Sequence, residues 1–315
     1  MKYYPVIIPT LCRYEHFVRC IESLSNCTLS EQIDCYVGLD YPLKEAHRDG
    51  YENISKYLES CQFRFHKLVV IKREENYGAI KNFVDLRKFV MDRYDSYIET
   101  EDDNEFSPCF LEYMIKCLEK YREDDRVYSI CGYSMPAYKD LSDRNIIFTL
   151  GNSAYGTAYW TNKQRKFLNL PKEYYKDAVT HLGTLKKLYS VHKYFVFGFT
   201  YCLLHDRYYD DGMYSCYSYL ENKYQIKPRI SLVRNWGNDG SGLHSGYDPF
   251  VSKREISYDK HFEFEPNEPV ELNVKIIKQM EKEAASKKIR SRIHQEVGAI
   301  MYPLVFAILR KFKLK

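Results

Sequence analysis

The chain has 315 residues, enough for one large α/β domain or two smaller ones. Its net charge of +4 is too small by itself to indicate nucleic-acid binding, so we expect no nucleic-acid partner. The 10 cysteines include no Cys-x-x-Cys pair, which argues against a zinc site and favours buried thiols in a reducing cytosol. Because the first five residues are too short and polar for a signal peptide and no apolar run could cross a bilayer, we expect a cytoplasmic protein.

Short apolar segments alternate with helix-patterned segments through the first hundred residues. The predicted strands are 6–8, 33–39, 68–71 and 97–98, and the predicted helices lie around 17–24, 45–60 and 79–91. This alternation predicts an α/β fold, with a mainly parallel central sheet covered by helices on both faces. Ligands of such sheets bind at the carboxyl ends of the strands. Residues 10–13, Asp40 and residues 101–103 all lie at such ends.

Three acids lie where the fourth predicted strand runs out into a loop: Glu101, Asp102 and Asp103. Ser107-Pro108 then begins a predicted helix, with the serine as its cap. Like charges at a strand end repel each other, so a shared Mg²⁺ or Mn²⁺ with oxygen ligands would explain them, although a solvated acidic turn is the alternative. Neither a P-loop nor a Gly-x-Gly-x-x-Gly motif is present, so a bound diphosphate would need a metal on these acids.

The middle of the chain is less regular. Segments 127–132 and 146–148 predict strands, and 226–233 predicts a strand interrupted by Pro228. Segment 153–160 mixes small and aromatic residues, which predicts either a surface against which a flat ligand packs or a buried strand. A predicted helix over 205–224 carries Asp210 and Asp211. The glycine-rich segment 235–246 predicts a loop that closes over a ligand, with an ordinary surface loop as the alternative.

The last fifty residues have a different pattern. Segment 272–292 predicts a charged amphipathic helix, and the apolar segment 297–309, broken by Pro303, ends in a basic tail. This pattern is typical of a helix that lies on an anionic membrane surface, and packing against the protein's own core or a partner chain is the alternative. We therefore expect a catalytic domain over 1–250, with a nucleotide-binding half (1–106) and an acceptor half (107–250), and a C-terminal helical extension over 251–315.

Taken in order, these motifs resemble those of nucleotide-sugar glycosyltransferases of the GT-A fold. Pro9-Thr10-x-x-Arg13 is similar to bacterial family-two members that build surface polysaccharides. Glu101-Asp102-Asp103 with the following Ser-Pro-x-Phe-Leu-Glu-Tyr resembles the metal motif of the N-acetylglucosaminyltransferase I group and its protein O-mannose relatives. The likeness extends over roughly residues 5 to 250 through Tyr155-Gly156-x-x-Tyr159-Trp160, Asp210-Asp211, the segment 226–231, Gly240-Ser241 and His244.

The resemblance implies a role for each site residue. Asp103 would ligate Mn²⁺ or Mg²⁺, Glu101 and Asp102 would support the metal waters and the ribose, and His244 would belong to the metal set. Asp40 would accept a hydrogen bond from uracil, Thr10 and Arg13 would lie beside the nucleotide, and Ser241 would touch the diphosphate. Asp211 would be the general base, with Asp210 as the second candidate.

The implied activity is that of an inverting, metal-dependent glycosyltransferase. It would move N-acetylglucosamine or another hexose from a UDP-sugar to a hydroxyl of a glycan or lipid-linked acceptor, in bacterial surface polysaccharide synthesis at the inner face of the plasma membrane. A non-catalytic module that binds a nucleotide sugar or a glycan is one alternative. A sugar-nucleotide pyrophosphorylase is another, but it would need a glycine-rich basic loop where Leu11-Cys12-Arg13-Tyr14 stands.

Overall fold

A computed structural model describes residues 2–241, 255–265 and 268–312. Strands and helices alternate at its start, as predicted. The elements up to residue 106 are β1 (Tyr4–Thr10), α1 (Tyr14–Ser25), β2 (Ile33–Leu39), α2 (Arg48–Ser60), β3 (Lys67–Lys72), α3 (Gly78–Met91), β4 (Ser96–Glu99) and β5 (Asn104–Phe106). Short 3₁₀ turns at Ser30–Gln32 and Glu45–His47 precede β2 and α2.

The second part of the described chain is richer in helices than the sequence pattern indicated. Its elements are α4 (Phe110–Lys120), β6 (Val127–Cys131), a 3₁₀ turn (Pro136–Asp140), β7 (Ile146–Thr149), β8 (Thr157–Trp160), α5 (Thr161–Leu168), α6 (Lys172–Thr180), α7 (Leu182–Leu204), α8 (Asp210–Glu221), β9 (Tyr224–Pro228), β10 (Val233–Asn235), α9 (Val274–Ala284) and α10 (Ile289–Lys311). Helices α5, α6 and α7 were not predicted from the sequence.

Several predicted boundaries are wrong. The strand predicted over 226–233 is divided, because β9 ends at Pro228, which has no N–H to donate to a ladder. Helix α4 starts at Phe110, and no side chain caps it, so Ser107 is not its cap. Helix α8 starts at Asp210 rather than near 205. The C-terminal helices separate at residues 285–288, whereas α10 continues through Pro303.

Within the described residues, the central sheet has eight strands in the order β3-β2-β1-β4-β8-β6-β9-β7. Strands β1 to β4 are mutually parallel, and β8 is antiparallel to both β4 and β6, so β4 and β6 run in the same direction. Strand β9 is parallel to β6, and β7 is antiparallel to β9. The mainly parallel α/β prediction is therefore confirmed, and the carboxyl ends of β1, β2, β4, β6 and β9 share one edge. A small antiparallel pair, β5 and β10, lies apart from this sheet.

Both faces of the sheet are buried under helices. Along β1, Val6 and Ile8 belong to one hydrophobic cluster with α1 and α4, while Ile7 belongs to the other with α3 and α8. Such burial on both faces explains why the first strands read as continuous apolar runs. All ten cysteines are free thiols, and Cys20, Cys35, Cys117 and Cys131 are buried as predicted.

Helix α10 packs along α7 through its small and apolar residues. Gly298, Ala299, Pro303 and Phe306 are buried, and a side chain at Gly298 would meet the Phe197 ring. Ion pairs add to this contact: Lys193 Nζ lies 2.8 Å from Glu296 Oε1, and Arg310 bonds to Glu173 and Asp177 on α6 at 2.8 and 2.9 Å. Packing on the protein's own core, the alternative for this segment, is therefore realised on one face of α10.

The opposite face of α10 is apolar and exposed. Its exposed side chains are Ile289, Ile293, Val297, Ile300, Met301, Leu304, Val305, Ile308 and Phe312. Their spacing of three and four residues forms one stripe along the helix. Among the described residues, no helix is both long enough and apolar enough to cross a bilayer.

Candidate functional site

The carboxyl ends of β1 and β4 bring four of the predicted site residues together. Asp102, which is buried, accepts a hydrogen bond from Thr10 Oγ1 on Oδ2 at 2.8 Å and one from Arg13 Nη2 on Oδ1. The same guanidinium reaches Asp103, with Nη1 2.9 Å from Oδ2. Arg13 therefore lies between the two aspartates and offsets part of their negative charge.

Segment 235–237, which begins at the last residue of β10, is fixed directly on the acids. Asn235 Nδ2 donates to Asp103 Oδ1 at 2.7 Å and to Asn104 Oδ1 at 3.0 Å. The Trp236 amide donates to the Asp103 carbonyl oxygen at 2.8 Å. A Cβ at Gly237 would collide with the Asp103 carboxylate, so glycine is required for the chain to pass this close. The sequence reading placed this segment in a loop but did not single out Asn235.

Ser241 lies farther along the same loop. Its hydroxyl and its amide donate to Asp239 Oδ1 at 2.6 and 2.9 Å, and His16 Nε2 lies 3.1 Å from Asp239 Oδ2. Burial by itself would raise the pKa of Asp239, but these partners outweigh it and hold the pKa below its ordinary value. His16 joins this loop to α1. His244 lies outside the described residues, so its assignment to the metal set stays a prediction.

Asp40, at the end of β2, is buried and binds the start of α3. Its Oδ1 accepts from the amides of Tyr41 and Tyr77 at 2.9 and 2.7 Å, and its Oδ2 accepts from the Gly78 amide at 2.8 Å and from Asn76. A carboxylate is well suited to these amide donors at the start of a helix. Asp40 thus has a structural role that its sequence context did not indicate, and its contact with uracil stays a prediction.

The acids carry more negative charge than the protein itself neutralises. Loss of hydration in the cleft, followed by the charges of Asp103 and Asp102, raises the pKa of Glu101, although its side chain still reaches solvent. Burial is also the first cause of the raised pKa of Asp102, and Arg13 opposes it. A bound cation would relieve this repulsion.

The carboxylates of Glu101 to Asp103 can hold a hard divalent cation if substrate oxygens and water complete its ligands. No group of three His, Cys, Asp or Glu in the described part of the chain is arranged to hold a metal ion. Both oxygens of Asp102 have partners in Thr10 and Arg13, and both oxygens of Asp103 have partners in Asn235 and Arg13, but a carboxylate oxygen can accept more than one partner. One or two carboxylates completed by substrate phosphate oxygens and water is a usual Mg²⁺ site. Glu101 and Asp103 would hold the ion in this way.

A buried ion cluster supports the second half of the site. Arg87 on α3 donates from Nε to Glu99 Oε2 at 3.1 Å and from Nη1 to Asp210 Oδ2 at 2.9 Å. Arg87 and Glu99 are almost fully buried, while the Asp210 side chain is 48% exposed. This cluster joins α3, the end of β4 and the first residue of α8. Neither Arg87 nor Glu99 was singled out from the sequence, because each is a lone charge in an ordinary helix or strand pattern.

Asp211 is free of that cluster. Its Oδ1 accepts from Asn152 Nδ2 at 3.0 Å. Desolvation in the cleft raises the pKa of Asp211, Asn152 and Lys227 lower it, and Asp210 raises it further. Its side chain remains open to solvent, so it is available to a ligand. Asn152 was not recognised from the sequence.

Tyr155 joins the two halves of the site. Burial first, and then Glu101, Tyr133, Asp103 and Asp211, raise its pKa to about 12. Three carboxylates therefore influence the pKa of one tyrosine, which lies in the segment predicted to form a wall or a strand. The strand interpretation is confirmed for 157–160, since Thr157–Trp160 is strand β8 and Trp160 is buried in the core, and the wall against a ligand stays a prediction.

Comparisons with known proteins found matches among solved structures. No family model matches the chain, and no curated protein matches it either. Residues 1–349 of S. aureus TarS in complex with UDP-GlcNAc match at 17% identity and a TM-score of 0.37, over 53% of this chain and 48% of that one. Against the longer TarS structure, the matched region is 31% of that chain. The chain thus spans about a third to a half of the TarS structures.

Two further structures bear the names of sugar-transferring enzymes. The mannosyltransferase PcManGT from Pyrobaculum calidifontis, in complex with GDP-Man and Mn²⁺, matches at 8% identity and a TM-score of 0.41, over 99% of this chain and 88% of that one. The apo form of the glycosyltransferase GlyE from Streptococcus pneumoniae TIGR4 matches at 12% identity and a TM-score of 0.32, over 71% and 44%. Each of these TM-scores is below 0.5.

Proposed function

We propose that this chain is an inverting glycosyltransferase that moves a hexose from a UDP-sugar to a hydroxyl of a glycan or lipid-linked saccharide. The observation that carries the proposal is the group of side chains formed by Thr10, Arg13, Asp102 and Asp103. It lies at the carboxyl edge of a mainly parallel sheet. That edge is where such sheets bind nucleotides.

The residues around Arg13 and the acids, and those around Asp211, have different proposed roles. Thr10, Arg13 and the acids form the donor side, where Glu101 and Asp103 would hold Mn²⁺ or Mg²⁺. When bound, such an ion supplies neutralisation of the charge on the departing diphosphate. Ser241 lies in the loop that Asn235 and Trp236 fix on these acids, and it is the residue proposed to contact the diphosphate.

Asp211 is the proposed general base. An ionised aspartate takes the proton of the acceptor hydroxyl while that oxygen bonds to the anomeric carbon and the bond from this carbon to the diphosphate oxygen breaks. The attack comes from the opposite face, so one displacement inverts the configuration and no covalent enzyme intermediate forms. Arg87 supports this assignment because it binds Asp210 and thereby fixes the start of α8.

The decisive experiment is a panel of UDP-sugars. Purified protein with Mn²⁺ should be stabilised against thermal unfolding by UDP and by its own UDP-sugar, and should release UDP from that sugar when an acceptor is supplied. The same panel without metal, or with GDP-mannose, is the control. Binding without turnover would favour a non-catalytic module, and absence of any nucleotide binding would refute the proposal.

We further propose that α10 attaches the enzyme to anionic lipid at the inner face of a bacterial plasma membrane. The start of the exposed apolar stripe of α10 is flanked by Lys287, Lys288, Arg290 and Arg292, all exposed. Each such cation contributes about 1 kcal/mol near an anionic surface, and the stripe would lie in the interface.

Liposome flotation tests this attachment. Cutting the chain before Leu272 would remove Ile276 and Phe306, which are buried, and would expose the core side chains that they cover, so point substitutions are the cleaner test. Leu304→Glu should abolish flotation with anionic vesicles, and high salt should release the unmodified chain. Ile80→Glu, on an exposed residue of α3, is the matched control and should float normally. Equal flotation of both variants would contradict the proposal.

A further inference from the structure

A cavity of about 440 Å³ lies apart from the acids, beyond the end of β9. Segments 229–232 and 257–263 form its two walls, and Asn145, just before β7, completes the lining. Sites that bind small molecules usually have volumes of about 300–1,000 Å³. None of the lining residues belongs to the proposed donor side or to the proposed base, so the cavity is a separate candidate site.

Hydrogen bonds hold the walls of this cavity in place. The Ser257 amide donates to the Ser231 carbonyl oxygen at 2.9 Å and joins one wall to the other. On α4, Glu112 accepts from the Phe262 amide at 2.8 Å, and Lys116 donates to the Phe262 carbonyl oxygen at 2.7 Å. The cavity is therefore preformed, and a ligand that enters it need not order the walls.

Arg229 lines the cavity without a partner for its side chain. Its Nε is buried and has no hydrogen-bond partner. Asp259 and Glu263 line the same cavity, yet in the described part of the chain neither forms an ion pair with Arg229. The side chain as a whole is half-buried, so a ligand in the cavity can reach it. Guanidinium donors without acceptors reduce stability, and a ligand would supply the acceptors.

The lining combines donors, acceptors and apolar surface. Two permanent cations, Arg229 and Lys260, are balanced by two carboxylates, Asp259 and Glu263, so the cavity does not favour a full negative charge. The apolar lining residues are Ile230, Leu232 and Phe262. A saccharide matches this combination, because each hydroxyl both donates and accepts and the C–H groups of the ring pack on apolar side chains.

The cavity lies at the same edge of the sheet as the acids. Arg229 follows β9, which runs in the same direction as β4, the strand that leads to the acids. The two strands are three steps apart in the sheet, which is about 14 Å at a spacing of about 4.8 Å. The wall 229–232 also continues into β10, where Asn235 donates to Asp103. A ligand that reaches from the acids to the cavity is longer than one sugar unit.

We propose that this cavity binds a saccharide unit of the acceptor, separate from the unit whose hydroxyl is glycosylated. The inference rests on the proposed function and extends it to acceptor selection. Arg229 donates to oxygens of the bound unit, and Ile230 and Phe262 contact its ring. The enzyme should accordingly prefer an oligosaccharide acceptor over a single sugar.

Two substitutions test the cavity by different means. Arg229→Met removes the donors and keeps an unbranched side chain, and Ile230→Trp fills part of the volume. Both variants should unfold at nearly the temperature of the unmodified chain, because the Arg229 Nε has no partner to lose and Ile230 is 37% exposed. Arg93→Met is the matched control, since Arg93 is exposed and lies just before β4, at the opposite edge of the sheet.

Saturation-transfer NMR in the presence of UDP and Mn²⁺ measures the binding of cellobiose, maltose and chitobiose. Glucose is the single-unit probe and glucuronate is the anionic probe. The unmodified chain and Arg93→Met should bind at least one disaccharide more tightly than glucose. Both cavity variants should bind it about tenfold or more weakly, the usual effect of losing a hydrogen bond from a charged donor. Calorimetry should give the same UDP affinity for all of these proteins.

Equal disaccharide affinity in the unmodified chain and in both cavity variants would overturn the inference, as would the absence of disaccharide binding by the unmodified chain. A preference for glucuronate that Arg229→Met abolishes would show an anion site and would overturn it as well. If the unmodified chain binds no UDP, the proposed function fails. Disaccharide titration of the free protein and its cavity variants then still decides whether the cavity binds a saccharide.

Discussion

The adjacent aspartates at the start of α8 should contribute very differently to turnover. Asp211 is open to the cleft and is held by Asn152, while Asp210 is bound to Arg87 at 2.9 Å. Removal of a general base commonly lowers the rate by about 10²- to 10⁴-fold. Asp211→Asn should therefore lose turnover on that scale, yet bind UDP-sugar and Mn²⁺ normally, because its carboxylate is not among the groups proposed to hold either.

Asp210→Asn is the matched control. The Asp210 carboxylate is half exposed, and Arg87 keeps its second partner, Glu99, when the charge is removed. A half-exposed ion pair contributes about 0–1 kcal/mol, so this variant should lose at most that much stability and less than about tenfold in turnover. Asparagine can still accept the Arg87 hydrogen bond through its carbonyl oxygen.

UDP release at saturating donor and acceptor measures kcat for both variants, and calorimetry measures donor affinity. Near-normal turnover of Asp211→Asn with an inactive Asp210→Asn would reverse the assignment. If both variants stay active, the base is another residue and the mechanism proposed for the acceptor side is wrong.

Three further outcomes are expected. Asp103→Ala should abolish Mn²⁺-dependent UDP binding while leaving the unfolding transition intact, and unchanged affinity in that variant or in EDTA would contradict this. Arg87→Ala leaves the buried Glu99 without its cation and should lower the free energy of unfolding in urea by about 3–5 kcal/mol. Adding Glu99→Gln to this variant should recover part of that free energy. A loss below about 1 kcal/mol in Arg87→Ala alone would show that the cluster is unimportant for stability. Because the pKa of Asp211 is raised and only its ionised form accepts a proton, kcat should fall as pH drops through that pKa, an acid limb that Asp211→Asn should lack.

Local patterns in the sequence were sufficient for the first half of the fold. The apolar runs at β1 to β4 and the helix-spaced faces between them predicted an α/β protein with acids at a strand end, since burial of a strand or a helix face leaves a periodic trace in the chain. The same reasoning placed Thr10, Arg13 and Glu101 to Asp103 at one edge of the sheet. Helices α5 to α7 were not predicted. No residue pattern within β8 indicates that this strand lies antiparallel between β4 and β6.

The division of labour within the site was decided by tertiary structure. The adjacent pair Asp210 and Asp211 is symmetric in the sequence, and Arg87, 123 residues away along the chain from Asp210, makes the two unequal. Asn235 meets Asp103 across 132 residues, and the burial of Lys227 depends on strands that are neighbours only in the sheet. A lone charged residue has no periodicity, so its partner, and with it its pKa and its role, is fixed only when the sheet brings distant segments together.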